Sequence, residues 1–280
     1  MAIAFDLDDK TAVVATMHGK GRVIEPALAV LGLRFLAAPP IDTDRYGTFT
    51  RDVGRAGSQR DALLAKAQAG LDLAPEADFA VASEGAFGPH PNIPFVSSGF
   101  EMVALLNRHS SKAIIGYHLT TATNFMHVEA RCCAEVETFA QTIGFPLHAM
   151  VVMESKDGPV IAKGVTDESE LKSICASTLE TRGSVWLEAD MRANQNPTRM
   201  EAVAAAATDL VRRLQGRCPA CVYPDWTPQI RDGRPCTWCD GPTVEAWTEE
   251  YLCDACGHRA EYYIDPERKG EPGHCNYCNP

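Results

Sequence analysis

The chain has 280 residues, 45% of them hydrophobic, with 26 Lys and Arg against 37 Asp and Glu for a formal net charge of −11. That apolar share supports one large domain or a domain with an appendage; the acidic balance excludes a general polyanion-binding surface but leaves room for a local basic pocket around a small phosphorylated ligand. No run approaches the roughly 20 apolar residues of a membrane span, and acids stand where a secretory signal carries its basic region, so a cytoplasmic protein without membrane contact is expected.

Residues 11–16 (TAVVAT) read as a strand that enters the polar loop 17–22, and residues 23–32 have helical spacing. Such a junction aims backbone N–H groups and a helix's positive end at an anion, with His18, Lys20 and Arg22 as added donors; the alternative is ordinary solvated bases. A second strand over 33–38 leads into a glycine-punctuated polar loop containing Asp42 and Asp44, of a length that is usually functional or mobile. Ser58 and Asp61 form a capping box for a helix over 59–73, which carries Lys66, either a phosphate ligand or a surface lysine. The alternation over 79–82 reads as a buried strand ended by Gly85, Gly88, Pro89 and Pro91. Glu84 then stands at a strand end, placed to hold a metal or a water, or simply to cap a turn.

Residues 99–108 and 112–120 read as a hairpin, which makes the sheet mixed. A helix over 132–143 precedes strands at 148–154 and 159–165, joined through an Asp-Gly turn. Asp167 caps a helix over 168–180 and a strand follows at 184–190, with Cys132, Cys133 and Cys175 read as packing residues. The loop bearing Asp190, Arg192, Asn194, Asn196 and Arg199 opens a helix over 200–214, with Asn196 and Pro197 at its start. Beside the 17–22 loop, it would complete a pocket acidic on one side and basic on the other. The fold class expected is α/β, a mixed sheet flanked by helices, over residues 1–216, with a tandem zinc-ribbon module over 217–280.

That module carries the strongest motif. Of eleven cysteines, Cys218/Cys221, Cys236/Cys239, Cys253/Cys256 and Cys275/Cys278 form four C-x-x-C knuckles, the pattern of metal sites in a reducing compartment. Two knuckles complete a tetrahedron around zinc, so four make two structural sites with closed coordination shells. Short spacing favours joining neighbouring knuckles, Cys218/Cys221 with Cys236/Cys239 and Cys253/Cys256 with Cys275/Cys278; the interleaved arrangement, first with third and second with fourth, stays open. His258 or His274 could replace a cysteine. Residues 217–280 hold six basic and eleven acidic side chains, which favours a protein partner or pure stabilisation over nucleic acid.

Two resemblances add to this reading. The segments A-T-x-H-G-K, D-T-D-x-x-G-T-F-T, S-E-G-A-F-G-P-H-P, D-M-R-A-x-x-N-P-T-R-M and the tail C-N-Y-C-N-P resemble an uncharacterised bacterial domain-of-unknown-function family with a C-terminal zinc-binding region. More remotely, the order of the first loop, the G-T-F loop, the helix Lys-Ala and D-F-x-V-x-x-E-G looks like the nucleoside-triphosphate pyrophosphatases of the inosine/xanthosine type. That resemblance implies Lys20 and Lys66 for phosphate and Glu84 for Mg²⁺, although His18 replaces an asparagine and the S-H-R base-recognition motif is missing.

The expected function is a Mg²⁺-dependent phosphohydrolase of nucleotides or related phosphorylated small molecules. Glu84 with Asp44 or Asp190 would hold the ion, while His18, Lys20, Arg22, Lys66, Arg192, Asn196 and Arg199 would bind the ligand. The alternative is a non-catalytic ligand-binding or adaptor protein whose zinc ribbons dock a protein partner.

Overall fold

The computed structural model describes residues 5–43 and 57–280, so Asp44 lies outside the described residues. The chain forms two compact units, one of residues 6–211 and one that joins Phe5 to residues 212–280.

The first unit opens with β1 (Thr11–Ala15), α1 (Gly21–Ala29), β2 (Arg34–Phe35), α2 (Gln59–Leu73), β3 (Phe79–His90), β4 (Ile93–Asn107) and β5 (Ala113–Thr120). These strands make a mixed sheet in the order β2-β1-β3-β4-β5, with β1 parallel to both β2 and β3 and the remaining pairs antiparallel. The Ser58/Asp61 capping box starts α2 as expected, and Arg108 donates to the carbonyls of Leu71 in its last turn and of Ala74 and Ala77 just beyond it. Gly70 lets α2 lie directly on the sheet: a Cβ there would sit 2.9 Å from that of Ala15.

The glycines and prolines after Glu84 do not end β3. Its ladder with β4 continues to Pro89 opposite Ser97, while β1 pairs with it only as far as Ala82. The strand that ends beside Glu84 is therefore β1, and β3 runs on with β4 as a ribbon. Glycine is tolerated there for close approach and proline near strand ends and edges, which is why these residues mislead as stop signals.

The expected α/β class holds, with the strands of this unit divided between two sheets. A second, antiparallel sheet has the order β6-β9-β7-β8, from β6 (His127–Ala130), β7 (Met150–Met153), β8 (Val160–Val165) and β9 (Val185–Ala189). Helices α3 (Cys133–Ile143) and α4 (Glu168–Arg182) complete this half, and Asp167 caps α4 by accepting from the Glu170 N–H at 2.8 Å. Cys175 is buried, whereas Cys132 and Cys133 are exposed, so only the first is a packing residue. The last helix of the unit, α5 (Pro197–Gln215), packs through Ala206 and Leu210 onto β5. At Gly116 a Cβ would fall 2.3 Å from the Ala206 carbonyl oxygen and from the Leu210 nitrogen, so glycine is required for that approach.

The C-terminal unit contains β10 (Gln229–Asp232), β11 (Ala246–Leu252) and β12 (Arg259–Tyr263) in one antiparallel sheet. Around it lie the four cysteine knuckles. Arg234, 1% exposed, takes the place of an apolar core residue. Its guanidinium donates to the carbonyls of Ile264, Asp265 and Arg268 and lies 5.2 Å from the Trp247 ring centre. No helix among the described residues is long and apolar enough to cross a membrane.

Candidate functional site

Where β1 stops, five buried charged side chains gather. On β3 and β4, Glu84 lies opposite Met102, and Gly85 opposite Glu101. Successive strand residues face opposite sides, so Glu84 and Glu101 project from opposite faces of the ribbon. Glu84 faces α2 and takes Lys66 Nζ at 2.5 Å, the two side chains 5% and 8% exposed. Glu101 faces α5 and takes Arg199 Nε at 2.7 Å, with 0% and 1% exposure. Buried charges of this kind persist only when paired.

Lys20 is the exception. It immediately precedes α1 and is 6% exposed, yet among the described residues no hydrogen bond or ion pair reaches its ammonium. Burial, above all, and then the positive charges of Arg199 and Lys66, lower its pKa to about 7, against the opposing pull of Glu101 and Glu84. Its neighbours are therefore the members of both ion pairs, and the cluster holds three basic groups against two carboxylates. Glu101 Oε2 likewise has no hydrogen-bond partner among the described residues.

The supporting framework is dense. Asn196 caps α5 by accepting from the Arg199 N–H at 3.0 Å, while its amide donates to Asn124 Oδ1 at 2.8 Å and to the Asp190 carbonyl at 3.2 Å. Arg199 also donates to the Met191 carbonyl and lies 5.3 Å from the Phe87 ring centre. Gln59, at the start of α2, donates to the carbonyls of Glu84 and Phe100, both at 3.1 Å. Gly85 makes room for the second pair, since a Cβ would lie 2.3 Å from Glu101 Oε1 and 2.7 Å from Arg199 Nη2.

Of the residues expected to form a pocket, the structure thus gathers Lys20, Lys66, Glu84 and Arg199, with Asn196 in support. Asp190 is buried but gripped by its near neighbour Arg192, whose Nη2 lies 2.6 Å from Asp190 Oδ2. The second carboxylate of the cluster is Glu101 instead. His18 is half-buried and Arg22 exposed. Glu101 was missed although a signal existed: a single carboxylate in the otherwise apolar run 99–106 of β4 has no solvent-facing position to occupy.

The eight knuckle cysteines form two tetrads, Cys218/Cys221/Cys253/Cys256 and Cys236/Cys239/Cys275/Cys278. The neighbouring-knuckle pairing is therefore wrong, and the interleaved one holds. The reason is topological: the sheet carries the chain between successive knuckles, returning the third to the first and the fourth to the second. Within the first tetrad Sγ–Sγ distances of 3.6 and 3.8 Å occur, and within the second 3.6 and 3.9 Å. A tetrahedron with Zn–S bonds of about 2.3 Å has edges of about 3.8 Å, so each tetrad fits such an ion. Neither His258 nor His274 belongs to a tetrad; His258 stacks on Trp226 and His274 contacts Glu245. The knuckles turn through left-handed backbone at Val222 (φ 62°), Asp240 (φ 58°) and Gly257 (φ 73°).

A family model described as a domain of unknown function, DUF6671, matches residues 66–280. No curated protein matches the chain in sequence. Among solved structures, the crystal structure of protein VC0702 from Vibrio cholerae aligns at 9% identity over 72% of this chain and 93% of that one, with a TM-score of 0.31.

Proposed function

We propose, for a chain that belongs to the DUF6671 family, that the N-terminal unit binds a phosphorylated small molecule of the nucleotide class and hydrolyses its phosphate. The observation that carries this reading is Lys20: an ammonium taken from water, which no hydrogen bond or ion pair reaches among the described residues, is a standing electrostatic cost that a bound anion would lower. Lys66 and Arg199 stand in the same cluster to share the phosphate charge, as groups that stabilise phosphoryl transfer must. The likeness of the Lys66 and Glu84 positions to those of inosine/xanthosine triphosphate pyrophosphatases points the same way.

The ion pairs suggest how binding leads to chemistry. A phosphate that draws Lys66 away leaves the Glu84 carboxylate to orient and deprotonate a water, while Lys20 and Arg199 hold the charge that develops on the phosphoryl oxygens. Glu84 is also the residue that would hold a Mg²⁺ arriving with the phosphates, since such ions bind through one or two carboxylates plus substrate oxygens. The ion would supply further neutralisation of charge. Asp190 does not fit as a second ligand, because Arg192 occupies it.

A panel of nucleotides and pyrophosphate with Mg²⁺, read by released phosphate or pyrophosphate, tests this directly. Turnover of at least one compound, lost in Lys20→Met and in Glu84→Gln, is expected. Binding without turnover on any compound leaves only the ligand-binding reading; neither binding nor turnover removes both.

A further inference from the structure

The two tetrads differ at one position. The third residue of each C-x-x-C knuckle is exposed in all four, so solvent, not packing, surrounds it. In the first tetrad it is Ala220 in one knuckle and Ala255 in the other; in the second it is Trp238 and Tyr277. Both aromatic side chains are 76% exposed. The alanines of the sister site show that the knuckle turn itself does not need a ring there. Trp238 donates its backbone N–H to Cys236 Sγ at 3.4 Å, and a Cβ on Gly241 would lie 3.1 Å from the Tyr277 ring and 3.3 Å from Cys239 Sγ. Both residues therefore belong to the knuckles of one tetrad, with the Trp238 backbone bonded to one of its sulfurs and the Tyr277 ring near another.

A tetrathiolate around a divalent ion is itself a dianion. The surrounding module is acidic as well, with six Lys and Arg against eleven Asp and Glu over residues 217–280. Of the basic groups near this centre, Lys269 is held by Asp240 at 2.6 Å and Arg268 by Glu245 at 2.6 Å. The result is two exposed aromatic side chains beside a negative centre in a negative field. A guanidinium is the group such a surface attracts, because it stacks on aromatic faces, is weakly hydrated and keeps its charge. Phosphate backbones are repelled.

We propose that Trp238 and Tyr277 form a docking surface for an arginine-rich segment of a protein partner, with the second metal centre as its anionic floor. This surface lies in the C-terminal unit and is independent of the phosphate reading of the N-terminal one.

The test uses the full zinc-loaded chain and fluorescence anisotropy with three labelled probes: an arginine-glycine peptide, a lysine-glycine peptide of equal charge and length, and a single-stranded oligonucleotide. The arginine peptide should bind several-fold tighter than the lysine peptide. Trp238→Ala with Tyr277→Ala should weaken it by about 10-fold, since each cation–π contact contributes roughly 0.5–1 kcal/mol when exposed, and should erase its advantage over lysine. Zinc content, measured on the same samples, should stay at two ions per chain. Equal binding of the two peptides, no change in the double variant, or preferred binding of the oligonucleotide overturns the proposal. So does self-association of the wild-type chain that disappears in the double variant, which would make a second copy the occupant.

Discussion

The charged cluster around Lys20 and the two cysteine tetrads are incomplete in opposite senses. In each tetrad four groups of one kind converge within 4.8 Å, an arrangement of thiolates that only a cation stabilises. In the cluster, three basic side chains outnumber two carboxylates, and one ammonium has no ion pair among the described residues, an arrangement that suits an anion. The comparison also separates structure from function. A four-coordinate thiolate shell closes on its ion and leaves no place for substrate, whereas the cluster has cationic capacity unspent.

Metal removal should produce the largest effect, because structural zinc supplies on the order of 10 kcal/mol per site at neutral pH. A strong chelator is expected to release two ions per chain and to abolish the near-ultraviolet signal of Trp226, which is stacked on Tyr251 and His258. Retention of that signal without metal would break the comparison. The pairing is sharpened by replacing Cys218 and Cys253 together with serine: one ion should be lost, as both belong to one tetrad, whereas neighbouring-knuckle pairing would lose both.

Next in size is Arg199→Ala, which strands Glu101 as a buried charge, at a cost of about 3–5 kcal/mol in urea unfolding. Adding Glu101→Met should recover most of that loss, because an apolar pair removes the uncompensated carboxylate. If the single variant is as stable as wild type, the Glu101–Arg199 pair does not exist in solution.

Lys20 gives a pH dependence of defined sign. Its folded pKa of about 7 lies below the ordinary lysine value of 10.5, so between those values the unfolded chain holds a proton that the folded chain has released. Stability relative to Lys20→Met should therefore rise with pH above about 7, by at most about 1.4 kcal/mol per unit, and level off near the ordinary lysine pKa. Anion binding has the opposite sign, since it needs the charged form. Thermal protection by sulfate, whose own charge is constant over this range, should fade from pH 6 to pH 9 in the wild type and be weak throughout in Lys20→Met. Protection that ignores pH would remove Lys20 from the site.

The smallest effect concerns Val222, a β-branched residue at φ 62° immediately after Cys221. Its counterpart after Cys256 is Gly257, at φ 73°. Left-handed backbone costs a side chain of this kind roughly 1–2 kcal/mol. Val222→Gly should accordingly stabilise the first tetrad by about 1 kcal/mol, visible as slower zinc release to a chelator.

Features set by neighbours in the chain were legible in the residues. The Ser58/Asp61 box and the Asp167 cap each use a partner three positions away, and each C-x-x-C knuckle brings its two thiolates together within one turn. Those caps located α2 and α4, and runs of β-branched or alternating apolar residues located most strands. Lys20, Glu84 and Arg199 stood out as charges at strand–helix junctions or strand ends, and Lys66 as a lysine on the helix over 59–73. That Glu84 pairs with Lys66 and Arg199 with Glu101 depends on contacts 18 and 98 residues apart, which local pattern does not specify.

The residue pattern alone thus specifies ligands and caps: cysteine knuckles able to hold metal, helix starts, and basic residues in an otherwise acidic chain. Contacts between distant residues set which knuckle meets which, that β1 rather than β3 ends beside Glu84, that Glu101 replaces Asp190 as the second carboxylate, and that Lys20 is buried with no ion pair among the described residues. The physical reason is range. Caps, turns and knuckles close through a few covalently fixed residues, while ion pairing and burial are settled by which strands lie side by side, and that choice minimises the cost of burying charge over the whole fold.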